Sequence, residues 1–359
     1  MSRSRPPGVS VQREPFGSLP DGRGVERYVL RSGDLEVAVL TYGAVLQSVR
    51  APDAQGAVAD VALGYDDLAG YLGDSTYVGA VVGRFANRIA GGRFVLDDAE
   101  HVLPQNHGTS CLHGGPEGFH TRLWSGREVP GGVELTLTSP DGDMGFPGAL
   151  TATVRYVLDD EGLTLTYGAT TDRATVVNLT NHAYWNLAGG GSIEDHVLEL
   201  PAERFVAVDD RLIPTELSPV TGTPLDFRSP TRVGDRLREA TAQLRYAQGY
   251  DHAWVLDGEG LRRAARVTDP VSGRVLEVLT DQPSVQFYSG NFLDGSVVGR
   301  GGRAYRQGDG LCLETQHLPD SPNRPDFPST TLRPGQTYAT RTTFRFGTTG
   351  RPALEPASG

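Results

Sequence analysis

The sequence predicts an all-β fold, a large antiparallel β-sandwich with few short helices. Three observations predict it. About sixteen short runs rich in Val, Leu, Thr, Tyr and Phe recur along the chain, each bounded by turn residues. The 46 glycines and 24 prolines are spread through the chain instead of clustered, which is turn punctuation between short strands. Only residues 230–245 carry apolar residues near helical spacing over any length, so strand–helix–strand crossovers and a parallel sheet are not expected.

Residues 1–24 are rich in Arg, Pro and Gly without periodicity and are expected as a flexible N-terminal tail, with 348–359 as a C-terminal tail and 25–347 as a single domain. The runs Tyr28–Leu30, Leu35–Thr41, Val45–Val49 and Val61–Leu63 are separated by S-G-D, Y-G-A and P-D-A-Q-G turns, a meander-like start to an antiparallel sheet. Asp66–Leu72 is expected as a helical turn capped by Asp66. Strands resume at 133–138, 150–158, 163–170, 175–179, 197–200 and 204–208. In 230–245, Ser229 then Pro230 reads as a start signal for one short surface helix. Further strands are expected at 252–256, 264–268, 275–280, 285–288, 311–315 and 338–346, with no linker and no internal repeat.

At 359 residues the chain is long enough to bury a substantial core. Its two cysteines, Cys111 and Cys312, are too few for a disulfide framework and show no metal spacing, so a reducing cytoplasm is the default compartment and each cysteine reads as a small buried hydrophobe. The N-terminus lacks an apolar h-region and no run of some eighteen apolar residues occurs, so neither a signal peptide nor a membrane span is expected. A formal charge of −11 disfavours nucleic acid and anionic membranes, and suits a neutral small molecule.

The stretch N-L-T-N-H-A-Y-W-N-L, residues 178–187, puts a histidine inside a strand-like run. At the strand period of two, Asn178, Thr180, His182, Tyr184 and Asn186 share one face, and Leu179, Ala183, Trp185 and Leu187 share the other with Asn181. So many donors and acceptors around an imidazole suggest a cleft lining, unless the face is simply solvated. Two more strands repeat the pattern: Cys312, Glu314 and Gln316 alternate with Leu311 and Leu313, and Ser284, Gln286 and Tyr288 alternate with Val285 and Phe287. Asp251 and His252 open another strand. G-R-F-A-N-R-I, residues 83–89, reads as a loop whose guanidinium groups face something polar. The segment 103–124 holds His107, His113 and His120 among glycines, but with no H-x-x-x-H on a helix, no cysteine pair and no obvious carboxylate ligand it reads as a ligand-contacting loop, not a zinc site. Side chains that hydrogen-bond vicinal hydroxyls, beside aromatics such as Tyr184, Trp185, Phe287 and Tyr288, are the mixture that sugar sites need.

With these residues assembled, the chain resembles the aldose 1-epimerase (galactose mutarotase) family. The resemblance rests on G-R-F-A-N-R-I (83–89), L-H-G-G (112–115), N-L-T-N-H-A-Y-W-N-L (178–187), Y-D-H (250–252), Q-F-Y-S-G-N-F (286–292) and L-E-T-Q-H-L-P-D-S-P-N (313–323), in the family's order over roughly residues 11–347. It implies a mutarotase-like supersandwich, no metal and no organic cofactor. It also implies Glu314 as catalytic base, His182 as acid, and Asn87, Arg88, His113, Asp251 and Gln286 as substrate contacts. The implied partner is a small-molecule aldose, with no nucleic acid or membrane, and the chain is expected as a monomer or weak dimer. One departure is visible: the family's H-G-G-x-x-G-F loop usually continues with an aspartate, and here His120 follows.

The chemistry agrees. Exchanging anomers requires a proton to leave the C1 hydroxyl while another reaches the ring oxygen, and one base with one acid suffices. Two rivals stay open at the level of residues: a glycoside hydrolase using Asp251 and Glu314 as its carboxylate pair, and a non-catalytic sugar-binding module.

Overall fold

Along Leu150–Asp159 the residues Leu150, Ala152, Val154, Tyr156 and Leu158 are buried, and the residues between them are partly or fully exposed. That alternation seats the strand with one face on a core, and its neighbour Gly162–Thr171 pairs with it over its whole length. The structure is a computed structural model that describes residues 8–159 and 162–350. Among these are thirty strands and only two short α-helices, and every strand pair is antiparallel. The fold is the expected antiparallel sandwich.

Three sheets matter. The largest has nine strands, including Leu150–Asp159, Gly162–Thr171, Tyr338–Thr348 and Arg274–Thr280. A six-stranded sheet runs in the order Tyr184–Trp185, Leu311–Gln316, Ser284–Tyr288, Asp251–Val255, Arg204–Val208, Pro214–Pro219. A five-stranded meander, Ser10–Ser18 to Val58–Asp60, precedes both. The main core cluster joins Val154, Leu165, Val278 and Phe344 of the large sheet to Trp254, Val285, Phe287, Leu311 and Leu313 of the six-stranded one. The opposite face of those same six-sheet strands is left to carry the polar residues. Among the described residues no helix is long and apolar enough to cross a membrane.

Several expectations shift. Residues 10–18 lie within the segment expected as a tail, yet form a strand paired with Gly24–Ser32. Both faces of that strand are at least partly exposed, and it bulges between Pro15 and Gly17, so it has no hydrophobic alternation to read. The outermost residues of both expected tails, 1–7 and 351–359, fall outside the described set. The first helix, Leu68–Leu72, is capped by Asp67, whose carboxylate accepts the Gly70 N–H, and not by Asp66. The helix expected from residue 230 starts only at Ala242, where the Thr241 hydroxyl accepts the Leu244 N–H; Thr231–Arg232 is strand and Val233–Asp235 a 3-10 turn.

Candidate active site

The floor of the site is set by register in the six-stranded sheet. Tyr184 pairs with Cys312, Cys312 with Tyr288, and Tyr288 with Asp251. The neighbouring row pairs Glu314 with Gln286. Because side chains of opposed residues stand on the same face, these two rows present Tyr184, Tyr288, Asp251, Gln286 and Glu314 together, while Leu313, Phe287 and Trp254 go to the core. His182 lies just before the short Tyr184–Trp185 strand, and its Nε2 is 3.7 Å from Glu314 Oε1.

The walls come from two loops. In G-R-F-A-N-R-I, Arg84 and Arg88 part company. Arg84 is buried away from the cavity and donates to the carbonyls of Ser139, Pro140, Pro147 and Gly148, so it is a structural anchor. Arg88 lines the cavity, with Nη2 3.6 Å from Asp251 Oδ2. Asn87 takes a left-handed conformation at φ 64°, and its Oδ1 accepts the Arg88 N–H at 2.9 Å. His113 is left-handed as well, at φ 51°. The two are tied together: the His113 N–H donates to the Asn87 carbonyl, and the Asn87 N–H donates to His113 Nδ1, each at 3.1 Å. A side chain at Gly114 would collide with the Gly83 carbonyl, which is why glycine follows His113 here.

These elements enclose a cavity of about 160 Å3 lined by Ser75, Thr76, Tyr77, Asn87, Arg88, His107, Leu112, His113, His182, Tyr184, Asp251, Tyr288, Phe292 and Glu314. Six of the seven residues singled out in the sequence therefore meet on one wall set. The seventh, Gln286, does not line the cavity; its amide donates to Asp251 Oδ1 at 2.6 Å and sits beside Glu314 in the sheet. Three buried atoms here have no hydrogen-bond partner: Glu314 Oε2, Gln286 Oε1 and Arg88 Nε. Buried polar atoms are normally satisfied, so the unpartnered Glu314 Oε2 at the cavity wall marks a place where a polar ligand completes the network.

Electrostatics follow burial. Burial, reinforced by the nearby Asp251 charge and opposed by Arg88, pushes the Glu314 carboxyl well above its ordinary range. Burial lowers His182 to about 4 and drives His113 well below its usual value. Burial thus disfavours the charged form of Glu314 and of His182 alike.

By spacing alone, His113, His182 and Glu314 would pass for a metal trio, with ligand atoms within 4.8 Å of one another. The donor set argues otherwise. His113 Nδ1 accepts a backbone N–H, which fixes the ring proton on Nε2. Binding a cation through Nε2 would move that proton to Nδ1, against the Asn87 N–H. His113 is built as a hydrogen-bond donor.

The polar face of residues 178–187 is only partly a cleft lining. Asn178 donates to the Ala86 and His317 carbonyls, and Asn186 to those of Gly191 and Asp309, so both brace neighbouring loops while His182 and Tyr184 reach the cavity. His252 is structural: its Nδ1 accepts the Asp251 N–H and its Nε2 pairs with Gln243. Sequence reasoning missed the loop Ser75–Thr76–Tyr77. The Asp74 carboxylate accepts from the N–H groups of Thr76 and Val78, and the loop presents Tyr77 at φ 60° with its ring 4.6 Å from His113 and 4.7 Å from His120. An aspartate followed by Ser-Thr was the available signal for such a turn. His120, where the family pattern has aspartate, packs its ring on Tyr77.

A family model described as Aldose 1-epimerase matches residues 26–345. Galactose mutarotase of Bos taurus is 47% identical over 343 residues, covering 94% of this chain and 99% of the relative. Galactose mutarotase of Homo sapiens is 45% identical over the same span. Aldose 1-epimerase of Escherichia coli (strain K12) is 40% identical over 336 residues, 91% of this chain and 96% of the relative. Among solved structures, an aldose epimerase homologue from C. elegans matches with a TM-score of 0.82 at 32% identity, covering 88% of this chain and 96% of that one. Galactose 1-epimerase from Lactobacillus acidophilus NCFM also matches at 0.82, with 28% identity and coverage of 95% and 99%.

Proposed function

The chain belongs to the aldose 1-epimerase family, and on that premise we propose how its residues interconvert the α- and β-anomers of free aldoses such as glucose and galactose. Glu314 acts as the base on the C1 hydroxyl and His182 as the acid at the ring oxygen. As Glu314 takes the hydroxyl proton, the O–H electron pair becomes the C1=O π bond. The C1–O5 pair then moves to O5, which takes a proton from His182. Rotation about C1–C2 presents the other carbonyl face, and the same two groups run in reverse to close the ring. No net proton is consumed.

The observation that carries this reading is the buried, unpartnered Glu314 Oε2, in a carboxyl 3.7 Å from His182 at the cavity wall. A sugar hydroxyl donating to it favours the carboxylate over the carboxyl, the form that the base needs. His113, with Nε2–H fixed, donates to a sugar oxygen. Arg88 stabilises developing oxygen charge, Asn87 and Asp251 hold the sugar, and Gln286 holds Asp251 from behind the cavity wall. Asp251 already accepts from Gln286 and faces Arg88, which suits a binding group better than a hydrolytic nucleophile.

The same reading takes the paired strands from Ser10 to Thr348 as one working domain and the protein as a monomer or weak dimer, without nucleic-acid partners. Two buried, unpaired cysteines support a reducing cytoplasm. Polarimetry of freshly dissolved α-D-glucose and α-D-galactose tests the activity: the approach to the equilibrium rotation accelerates in proportion to enzyme. A rate equal to the uncatalysed one for every aldose would refute it.

A further inference from the structure

The acid–base reading leaves one contact without a role. Cys312 Sγ lies 3.6 Å from His182 Nδ1. Among the described residues no other side chain meets that nitrogen within hydrogen-bond distance, and the ring's own backbone carbonyl favours its protonated form. Sheet register makes the contact a consequence of the fold. Cys312 pairs with Tyr184, and Glu314, two residues on, shares its face with Cys312. The strand Leu311–Gln316 therefore offers His182 a thiol at one ring nitrogen and a carboxyl at the other. Cys312 is fully buried, in a cluster with Tyr184, Tyr288 and Leu63.

We propose that Cys312 is a positioning residue for His182, whose thiol holds the ring at Nδ1 in both of the protonation states through which the acid must cycle. The proposal rests on the acid–base reading above. Mutarotation is reversible within each turnover, so His182 gives a proton during opening and takes one back during closure. The proton that His182 gives and takes sits on Nε2, the nitrogen facing Glu314, so Nδ1 keeps its hydrogen in the imidazolium and in the neutral ring, and in both states Nδ1–H donates to a sulfur lone pair. Sulfur is a weak acceptor, so it fixes the ring and its tautomer without raising the ring's hold on the acid proton much. A carboxylate at this place would stabilise the imidazolium strongly and hold the proton back. Burial keeps the thiol protonated, its titration pushed well above the ordinary range. The other titratable groups around the ring are Tyr77, His113 and His120 from the loops, Tyr184 and Tyr288, and the Glu314 and Asp251 carboxyls. None of them meets Nδ1 within hydrogen-bond distance.

The test compares Cys312→Ser, Cys312→Val and Cys312→Ala in the full chain, with melting temperature measured alongside kcat, KM and pH profiles. Serine keeps a group that donates and accepts; valine fills the space with neither. We expect Cys312→Val and Cys312→Ala to lose about ten- to a hundredfold in kcat with KM within about threefold, as expected when a general acid is misaligned, and Cys312→Ser to recover most of the loss. Without an acceptor for Nδ1–H the imidazolium becomes more acidic, so the alkaline limb of kcat moves down by roughly half a pH unit or more in valine and alanine but not in serine. If Cys312→Val keeps wild-type kcat and limbs while His182→Gln and Glu314→Gln are inactive, the acid–base reading stands and the Cys312 proposal falls. If valine restores activity and serine does not, the contact is packing and the proposal is equally overturned. Full activity in His182→Gln removes both.

Discussion

Replacing Glu314 by glutamine separates the chemistry of this site from its cost to the fold. The amide keeps the shape of the carboxyl but cannot take the C1 proton, so kcat is expected to fall by about 10²- to 10⁴-fold, the range of a positioned base. At about 1.4 kcal/mol per tenfold this is roughly 3–5 kcal/mol of barrier. Sugar binding is expected to stay within about tenfold, since Arg88, Asn87, His113 and Asp251 are untouched. Stability moves the other way. Burial raises the carboxyl above its ordinary 4.5, and a group whose folded value is raised contributes stability that is lost as pH climbs from the unfolded value toward the folded one. Wild-type enzyme therefore loses up to about 1.4 kcal/mol per pH unit above roughly 4.5 from this one group, and glutamine does not. Glu314→Gln should match wild type in melting temperature near pH 4 and exceed it increasingly toward pH 7, by about one to two degrees per kcal/mol for a chain of this size. Polarimetry gives the rate and calorimetry across pH gives the melting temperature. A variant that keeps more than about a tenth of wild-type kcat, or whose stability difference does not grow with pH, refutes the reasoning.

Methyl and nitrophenyl glycosides of glucose or galactose carry no C1 hydroxyl proton for Glu314 to remove, so they should be recovered intact and act at most as weak competitive inhibitors; nitrophenol release at the rate of anomer exchange would promote Asp251 and Glu314 to a hydrolytic pair. Exhaustive chelation should leave the rate unchanged, because His113 Nδ1 is committed to the Asn87 N–H; activity lost with a chelator and restored by zinc would overturn that tautomer. Arg84→Met should lower stability by about 1–3 kcal/mol or more, as expected when buried carbonyl acceptors lose their donor. Since Arg84 donates to loop carbonyls and not to the cavity, the purified variant should keep wild-type KM at a temperature where it is folded, and a raised KM with unchanged stability would contradict the structural assignment.

The parts of this molecule that were legible in its sequence are those where one strand serves two environments at once. Leu311–Gln316 and Ser284–Tyr288 are wholly buried on both faces, yet one face holds leucines and a phenylalanine and the other Glu314 and Gln286, so alternation located the site and oriented it. Residues 178–187 also read as strand, but only Thr180–Asn181 and Tyr184–Trp185 form strands, with an isolated bridge from Asn178 to Phe85. The Asn178 and Asn186 side chains beside them bond to loop carbonyls, and periodicity carries no trace of such long-range partners. Ser10–Ser18 was illegible for the opposite reason: a strand exposed on both faces has no pattern to find. Tyr77 escaped because its position depends on Asp74 closing a turn and on a left-handed backbone, neither of which hydrophobic spacing records.

Asn87, His113 and Tyr77 share one feature that bears on how the site works. All three are non-glycine residues at positive φ, a conformation that costs of order 1–3 kcal/mol for each such residue and persists only where surroundings impose it. Each is imposed by a bond that also aims a side chain: Asn87 and His113 by their mutual backbone and ring contacts, Tyr77 by the turn closed on the Asp74 carboxylate. The strained loops therefore do for the cavity walls what sheet register does for its floor, fixing donors in place before a sugar arrives. On the acid–base reading proposed above, hydroxyls donating to Glu314 favour its ionised form against the burial that raises it, and walls fixed in advance direct the stabilisation toward the ring-opening transition state.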